Sequence, residues 1–308
     1  MRTNFLVLFT GALLSLPVFS ADTSSVDSPM MGYVVRPAAA AQMNAALELR
    51  AMLGIPGAAR FSDALPLPDA TVAAEVAPGH AWVLVIRAAD ALAYIPASQV
   101  AVSLPGGGVP QAWAFSPSGS RMALSYPDRG EIVLLSGLPG SPKIEKTFAI
   151  ASFDSFAAGD NGALAYSSGN QLFTGDGQFL YGSDSLGAMS FEAARDSIIL
   201  FDSSTTSLVE VGVLSASSRV VAAGLATAPD TLFAGTDRIY AGNTAAGTVA
   251  LIEYADGSIA SQNVNVSRIA PSAIAGTMLV SFDSDGPAWL VTAQGVSFVP
   301  AIVKQSVQ

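Results

Sequence analysis

Hydrophobic and polar positions alternate most legibly between Trp113 and Leu135, WAFSPSGSRMALSYPDRGEIVLL, which reads as strand, tight turn, strand, tight turn, strand. Apolar and β-branched runs are broken by Ser116 to Ser120 and by Tyr126 to Gly130, and both breaks carry the Pro, Gly, Ser and Asp that tight turns select. Weaker copies follow from Thr71 onward, each a group of four short apolar segments separated by Gly, Asp, Asn, Ser or Pro. The first group is VAAEVAP, HAWVLVIRA, ALAYIPA and VAVSL, and the second contains the stretch above. Four more groups complete the chain, ending with IAPSAIAG, TMLVSFDSD, AWLVTAQ and GVSFVPAI.

The second segments of the groups register at Trp82, Met122, Ala163, Ile198, Ile239 and Met278, with spacings of 40, 41, 35, 41 and 39 residues. A period near 40 built from four short strands is the signature of a propeller blade. A four-stranded antiparallel sheet cannot bury both faces alone. Stacking such sheets face to face around an axis buries a continuous apolar layer, and a closed ring limits exposed edges. Segments such as WVLVI, SIILF and MLVSF are near-continuously apolar, as strands covered on both faces should be. The fold expected is all-β, a single β-propeller domain over 32–303 followed by a tail at 304–308. A pair of β-sandwiches would leave a linker near the middle, and the chain around 140–160 simply turns from one group to the next.

Trp113-Ala114-Phe115-Ser116-Pro117-Ser118-Gly119-Ser120-Arg121-Met122-Ala123-Leu124 resembles the WD40-like repeat of TolB-type propellers, whose pattern is an aromatic, Ser-Pro-Asp-Gly, a basic residue and an apolar strand. Ser118 stands where that pattern has Asp, and the other groups share the period rather than the letters. The resemblance implies the fold and carries no activity with it.

Ahead of the regular groups, GYVVRP reads as a strand, and the alternation in LELRAML favours a strand hairpin with an Ala-rich insertion between Ala38 and Leu49. With about three strands supplied between Gly32 and Pro68, the count expected is seven four-stranded blades; the alternative is six blades plus an N-terminal cap. Arg2, the apolar run Phe5 to Leu16 and the small residues at Val18 and Ser20 form the regions of a secretory signal peptide over 1–20, with 21–31 a flexible polar start. A secreted or periplasmic location follows, with no stable membrane insertion once the leader is cleaved.

Cysteine is absent, which excludes disulfides, thiolate metal sites and a cysteine nucleophile. With 14 Lys and Arg against 24 Asp and Glu the net charge is -10, and removal of Arg2 with the leader makes it -11. An acidic surface with no basic cluster repels phosphate backbones, so nucleic acid is not an expected partner.

His80 is the sole histidine, so multi-histidine metal sites are excluded and any Ser-His-Asp triad would depend on it. It follows Pro78-Gly79 at the start of a strand, where a turn histidine exposed to water is expected. Trp82, Trp113 and Trp289 fall on segments where an aromatic packs blades together. Asp283-Ser284-Asp285-Gly286 resembles the opening of a calcium loop, but the later ligands are missing and a hairpin turn accounts for the same letters. Asn265-Val266-Ser267 forms a glycosylation sequon.

In a propeller the loops after each second strand share one face of the disc. Those loops hold Asp90, Asp128 with Arg129, Asn170, Asp202, Asn243, and Asp283 with Asp285, a mostly acidic set that could form a rim at the channel mouth. Ordinary solvated turn residues are the competing reading, since turn chemistry alone selects Asp and Asn. The function these features favour is a non-catalytic binding or scaffold protein that takes a protein, peptide or glycan across one disc face, without a cofactor. The alternative is an extracellular glycan hydrolase, lyase or lactonase that uses rim carboxylates with a divalent cation such as Ca2+ held by Asp283 and Asp285.

Overall fold

The computed structural model describes residues 29–37, 47–192, 194–274, 276–281 and 286–301. These form seven antiparallel sheets, taken in chain order as blades 1 to 7 over 30–61, 71–103, 112–149, 155–182, 186–223, 231–263 and 270–299. Blades 2 to 7 each have four strands paired in sequential order, and blade 1 has three. The molecule is a seven-bladed β-propeller, and the second strands begin within one residue of the positions registered from the period, at Val83, Met122, Leu164, Ser197, Arg238 and Met278.

Burial explains the periodicity. Second strands such as Met122–Tyr126 and Ser197–Asp202 are buried throughout, because each is covered by the sheets on either side. Outermost strands such as Lys143–Ala149 keep most of their residues exposed. Every apolar cluster straddles neighbouring blades: Trp82 and Leu84 of blade 2 pack on Met122 and Leu124 of blade 3, and Phe201 and Leu208 of blade 5 on Ile239 and Ile252 of blade 6.

The N-terminal segment is a blade and not a cap. GYVVRP lies in the strand Met30–Pro37 and LELRAML in Leu47–Ile55, with the third strand at Ala58–Phe61; most of the Ala-rich insertion lies outside the described residues. Met31, Val34 and Met52 of blade 1 pack on Leu279, Leu290 and Val299 of blade 7. Its other face, with Tyr33, Val35 and Leu49, packs on Val83, Val85 and Leu92 of blade 2. Blade 1 therefore closes the ring between the last regular blade and the first.

The strand Met30–Pro37 begins beside the first hairpin turns of both neighbours, where its Met31 carbonyl accepts from the Ala273 amide at 2.8 Å. It ends beside the turn between the second and third strands of blade 7, where Arg36 donates to the Gly286 carbonyl. It thus runs in the direction of a second strand. Blade 1 has the second, third and outermost positions filled, and among the described residues no strand pairs along its inner edge.

His80 holds this junction, and the expectation of a water-exposed turn histidine is corrected: its side chain lies in the closure, with the residue only 4% exposed. The hairpin of blade 2 takes a left-handed turn through Gly79 and His80, with φ of 82° and 58°. This throws the imidazole across the inner edge of blade 1. Nδ1 accepts the Tyr33 amide at 3.0 Å, which leaves the proton on Nε2 to be donated to the Pro271 carbonyl of blade 7 at 2.6 Å. One ring links three blades. The contact requires glycine at position 32, since a Cβ there would come within 2.5 Å of Nδ1.

Burial lowers the His80 pKa below its ordinary 6.5, against the smaller opposing effect of its hydrogen bonds to Pro271 and Tyr33. The unfolded chain takes up this proton at higher pH than the folded ring does, so the contribution of His80 is complete above about pH 6.5 and is lost as pH falls below it. Glu75 and Arg268 line the same channel beside the ring. The thermal midpoint is expected to fall between about pH 7.5 and 5, with the slope flattened in His80→Gln. His80→Ala should cost about 2 kcal/mol or more at pH 7.5, because the Tyr33 amide and Pro271 carbonyl lose their partner. Melts of the three proteins across that pH range check both.

Candidate functional site

Two concave regions converge on the axis of the disc. The first is the channel, about 190 Å³, walled by the innermost strands of blades 2 to 7 with Tyr33 standing for blade 1. Inside it Glu75 is the one acidic residue of an otherwise uncharged strand, Thr71–Val76. Its Oε2 accepts from Trp113 Nε1 at 2.6 Å and lies 3.2 Å from Arg268, so a single carboxylate ties blades 2, 3 and 7 across the channel. Glu75 was not singled out from the sequence; the signal available was a lone charge in a first strand whose neighbours are apolar.

The second is a groove of about 1120 Å³ over the mouth, on the face made by the first and last hairpin turns of the blades. Its walls include Asp160 of blade 4, Phe233, Asp237 and Arg238 of blade 6, and Ile274 and Gln294 of blade 7. Apolar surface is thus interleaved with charges of both signs. On this face Ser118 finds what its turn lacks: the hydroxyl donates to Asp160 Oδ1 of the next blade at 2.5 Å. The amide of Ser118 reaches the same carboxylate at 3.2 Å, and Arg121 donates to the Asp160 carbonyl. The carboxylate that the repeat pattern places in the turn is here supplied from the neighbouring blade.

Of the candidate rim residues, Asp90, Asp128 and Arg129 lie on the opposite face in the turns after second strands, and Asp202 is the last residue of the strand Ser197–Asp202. Asp90 is held by Arg87, whose Nε is 2.7 Å from Oδ1, and the guanidinium keeps the carboxyl below its ordinary pKa. Asp128 is exposed and receives a long contact, 3.4 Å, from Gln111. Arg129 lies 4.0 Å over the Tyr126 ring, pairs with Glu131 at 2.6 Å and donates to the Gly107 carbonyl. Asp202 is buried, and Tyr181 of blade 4 and Ser183 of the connection that follows it donate to it at 2.8 and 2.6 Å, with the Ser204 hydroxyl adding another at 2.6 Å. Burial acts to raise its pKa, but the Ser183, Ser204 and Tyr181 hydrogen bonds outweigh it and hold the group at about 2. Burial and the same carboxylate push the Tyr181 hydroxyl up to about 12. None of these contacts joins Asp90, Asp128, Arg129 or Asp202 to another of the four.

Asp283 and Asp285 lie outside the described residues. Among the described residues no group of three or more His, Asp or Glu is placed to hold a metal ion, and no helix is long and apolar enough to cross a membrane. Trp82 packs edge-on to Phe115 at 5.3 Å and donates to the Gly119 carbonyl, in the blade-packing role expected of it.

No family model matches the chain, and no curated protein matches it either. Solved structures do. A streptogramin B lyase structure superposes with a TM-score of 0.56 at 12% identity, covering 78% of this chain and 87% of that one. The WD40 repeats of RRP9 give 0.52 at 12% identity over 77% and 83% of the two chains, and a chain of the mitotic checkpoint complex gives 0.54 at 12% over 77% and 87%. At such identities the likeness is one of fold. It is consistent with a WD40-like repeat, and it embraces scaffold proteins and an enzyme alike.

If Asp202 is a joint between blades 4 and 5, Asp202→Ala should cost about 2 to 3 kcal/mol, since buried hydroxyls lose their acceptor. Asp128→Ala should stay within about 0.5 kcal/mol of the parent. Urea unfolding of the two variants makes the comparison.

Proposed function

We propose that this protein is a non-catalytic binding propeller that takes an extended segment of a protein partner in the groove on the hairpin-turn face. The groove carries the reading: about 1120 Å³ of open concavity, drawn from several blades and placed over the channel mouth. A length of chain lying across it would meet apolar surface from Phe233 and Ile274 and the exposed Asp237, with Asp160 and Arg238 held beside it by Ser118 and Glu253. Similar propellers occur in protein complexes, which supports a protein partner. The leader-like segment 1–20 supports a partner met outside the cytoplasm, in the periplasm or beyond the cell.

Selection of peptides from a random display library against the intact protein tests this. Peptides so obtained should lose about tenfold or more in affinity to Thr236→Arg combined with Gln294→Arg, two exposed groove positions, because bulk and charge there cost more than about 1.4 kcal/mol. Asp128→Arg, on the opposite face, should leave their affinity unchanged. The reverse pattern would move the binding surface to the rim.

A further inference from the structure

Blades 3 to 6 each place one phenylalanine on the first strand, Phe115, Phe156, Phe191 and Phe233, and all four line the axial channel. Phe191 is buried, whereas Phe115, Phe156 and Phe233 are half-buried and keep surface that a guest would cover. The polar side chains beside them are committed elsewhere. Glu75 is held by Trp113 and Arg268, the His80 nitrogens serve Tyr33 and Pro271, and Ser190 Oγ accepts the Ala234 amide at 3.1 Å. What the channel offers a guest is therefore apolar contact, beside a carboxylate already matched by a cation.

We propose, resting on the groove reading above, that this channel is the anchor pocket for one aromatic side chain of the partner segment and so fixes the segment's register. Continuity is the first reason. Pro117, Phe233 and Pro271 line both the groove and the channel, so the floor of one opens into the other. Size is the second. The channel holds about 190 Å³, and an apolar cavity of about 150 Å³ takes a benzene ring. Pockets for whole ligands of drug size run from about 300 Å³ upward, so a single ring matches this space and a larger free molecule does not.

Charge discriminates among the side chains that could enter. A lysine or arginine head would give up its water for a cavity whose carboxylate is already paired with Arg268, and a partner carboxylate would be drawn in beside Glu75. A neutral ring meets neither cost. It can also pack edge-on or offset against the channel phenylalanines, arrangements that add to the area buried. One aromatic seated in a pocket of this kind is the usual dominant contributor to an interface, with the surrounding contacts serving to exclude water.

Two measurements test this, and the first needs no partner. Toluene, the phenylalanine side chain as a free molecule, is titrated into the intact protein with its methionine and leucine methyl groups labelled for NMR. The Met189 and Leu232 methyls, which line the channel, should shift to saturation, whereas n-butylammonium, the lysine side chain, should move neither. Ala114→Leu, which adds bulk on the half-buried channel wall, should abolish the toluene shifts. Ala270→Leu fills the same channel should the first variant fail to fold. The second measurement takes groove-binding peptides selected from the display library. These should share one aromatic position, lose about thirtyfold in affinity when that residue becomes alanine, and lose about as much against the filled channel. Peptides that depend on Thr236 and Gln294 yet share no aromatic position and ignore Ala114→Leu would overturn the anchor and leave the groove reading standing. Toluene shifts with no peptide bound in the groove would overturn the assignment to a partner's side chain in favour of a free aromatic compound. Toluene that moves neither methyl at its solubility limit would overturn the pocket itself.

Discussion

Each sheet of this protein is stable only because the sheets on both sides cover it. An apolar strand such as Ile198 to Phe201 has no solvent face to offer, so removing either neighbour would expose a whole row of buried side chains. The energy of the fold is therefore distributed around a circle, and a circle has a weakest joint wherever its first and last members meet. Here that joint is built from apolar packing on both faces of blade 1 and from one imidazole that gathers three blades at the axis. The rest of the architecture presupposes that closure.

The same constraint explains how much could be read in advance. Segments such as SIILF and MLVSF are uniformly apolar because they are covered twice, and the spacing of about 40 residues reflects the path length of four short strands and their turns. Both effects are local in sequence, so the blades and their number were legible. The role of His80 was not, because nothing near Pro78-Gly79-His80 indicates that the neighbours supplying its partners are Tyr33 and Pro271, which lie 47 and 191 residues away. Asp202 was legible as an acid near the end of a second strand, and the structure buries it as that strand's last residue. Its partners Tyr181 and Ser183 belong to the end of the preceding blade and the connection leaving it, and only the ring geometry brings them to it.

A polar side chain in this fold has two employments, joining blades or meeting a ligand, and the first forecloses the second. Asp202 has its oxygens filled by hydroxyls, Asp90 is clasped by Arg87, and Glu75 is shared by Trp113 and Arg268. Taking any of them for a ligand would require breaking a contact that also holds a turn or a pair of blades, at a cost comparable to the hydrogen bond lost. Ser118 and Asp160 show the same logic on the hairpin face, where a residue missing from one turn is replaced across the blade boundary.

What remains for recognition is surface whose groups are not already committed to such joints. The groove over the channel mouth meets that condition best, because its walls are largely turn residues, Gly235 to Asp237, Ser272, Ile274, Gly276 and Thr277, and Thr292 to Gly295, carried by the strands beneath them. A rigid ring carrying adaptable turns suits a partner that lies across several blades, since no single blade presents enough surface to hold one. Affinity would then depend on the relative placement of blades 3, 4, 6 and 7, and hence on the integrity of the closure at blade 1. The binding face and the ring joint, which are separate in sequence, are mechanically one problem.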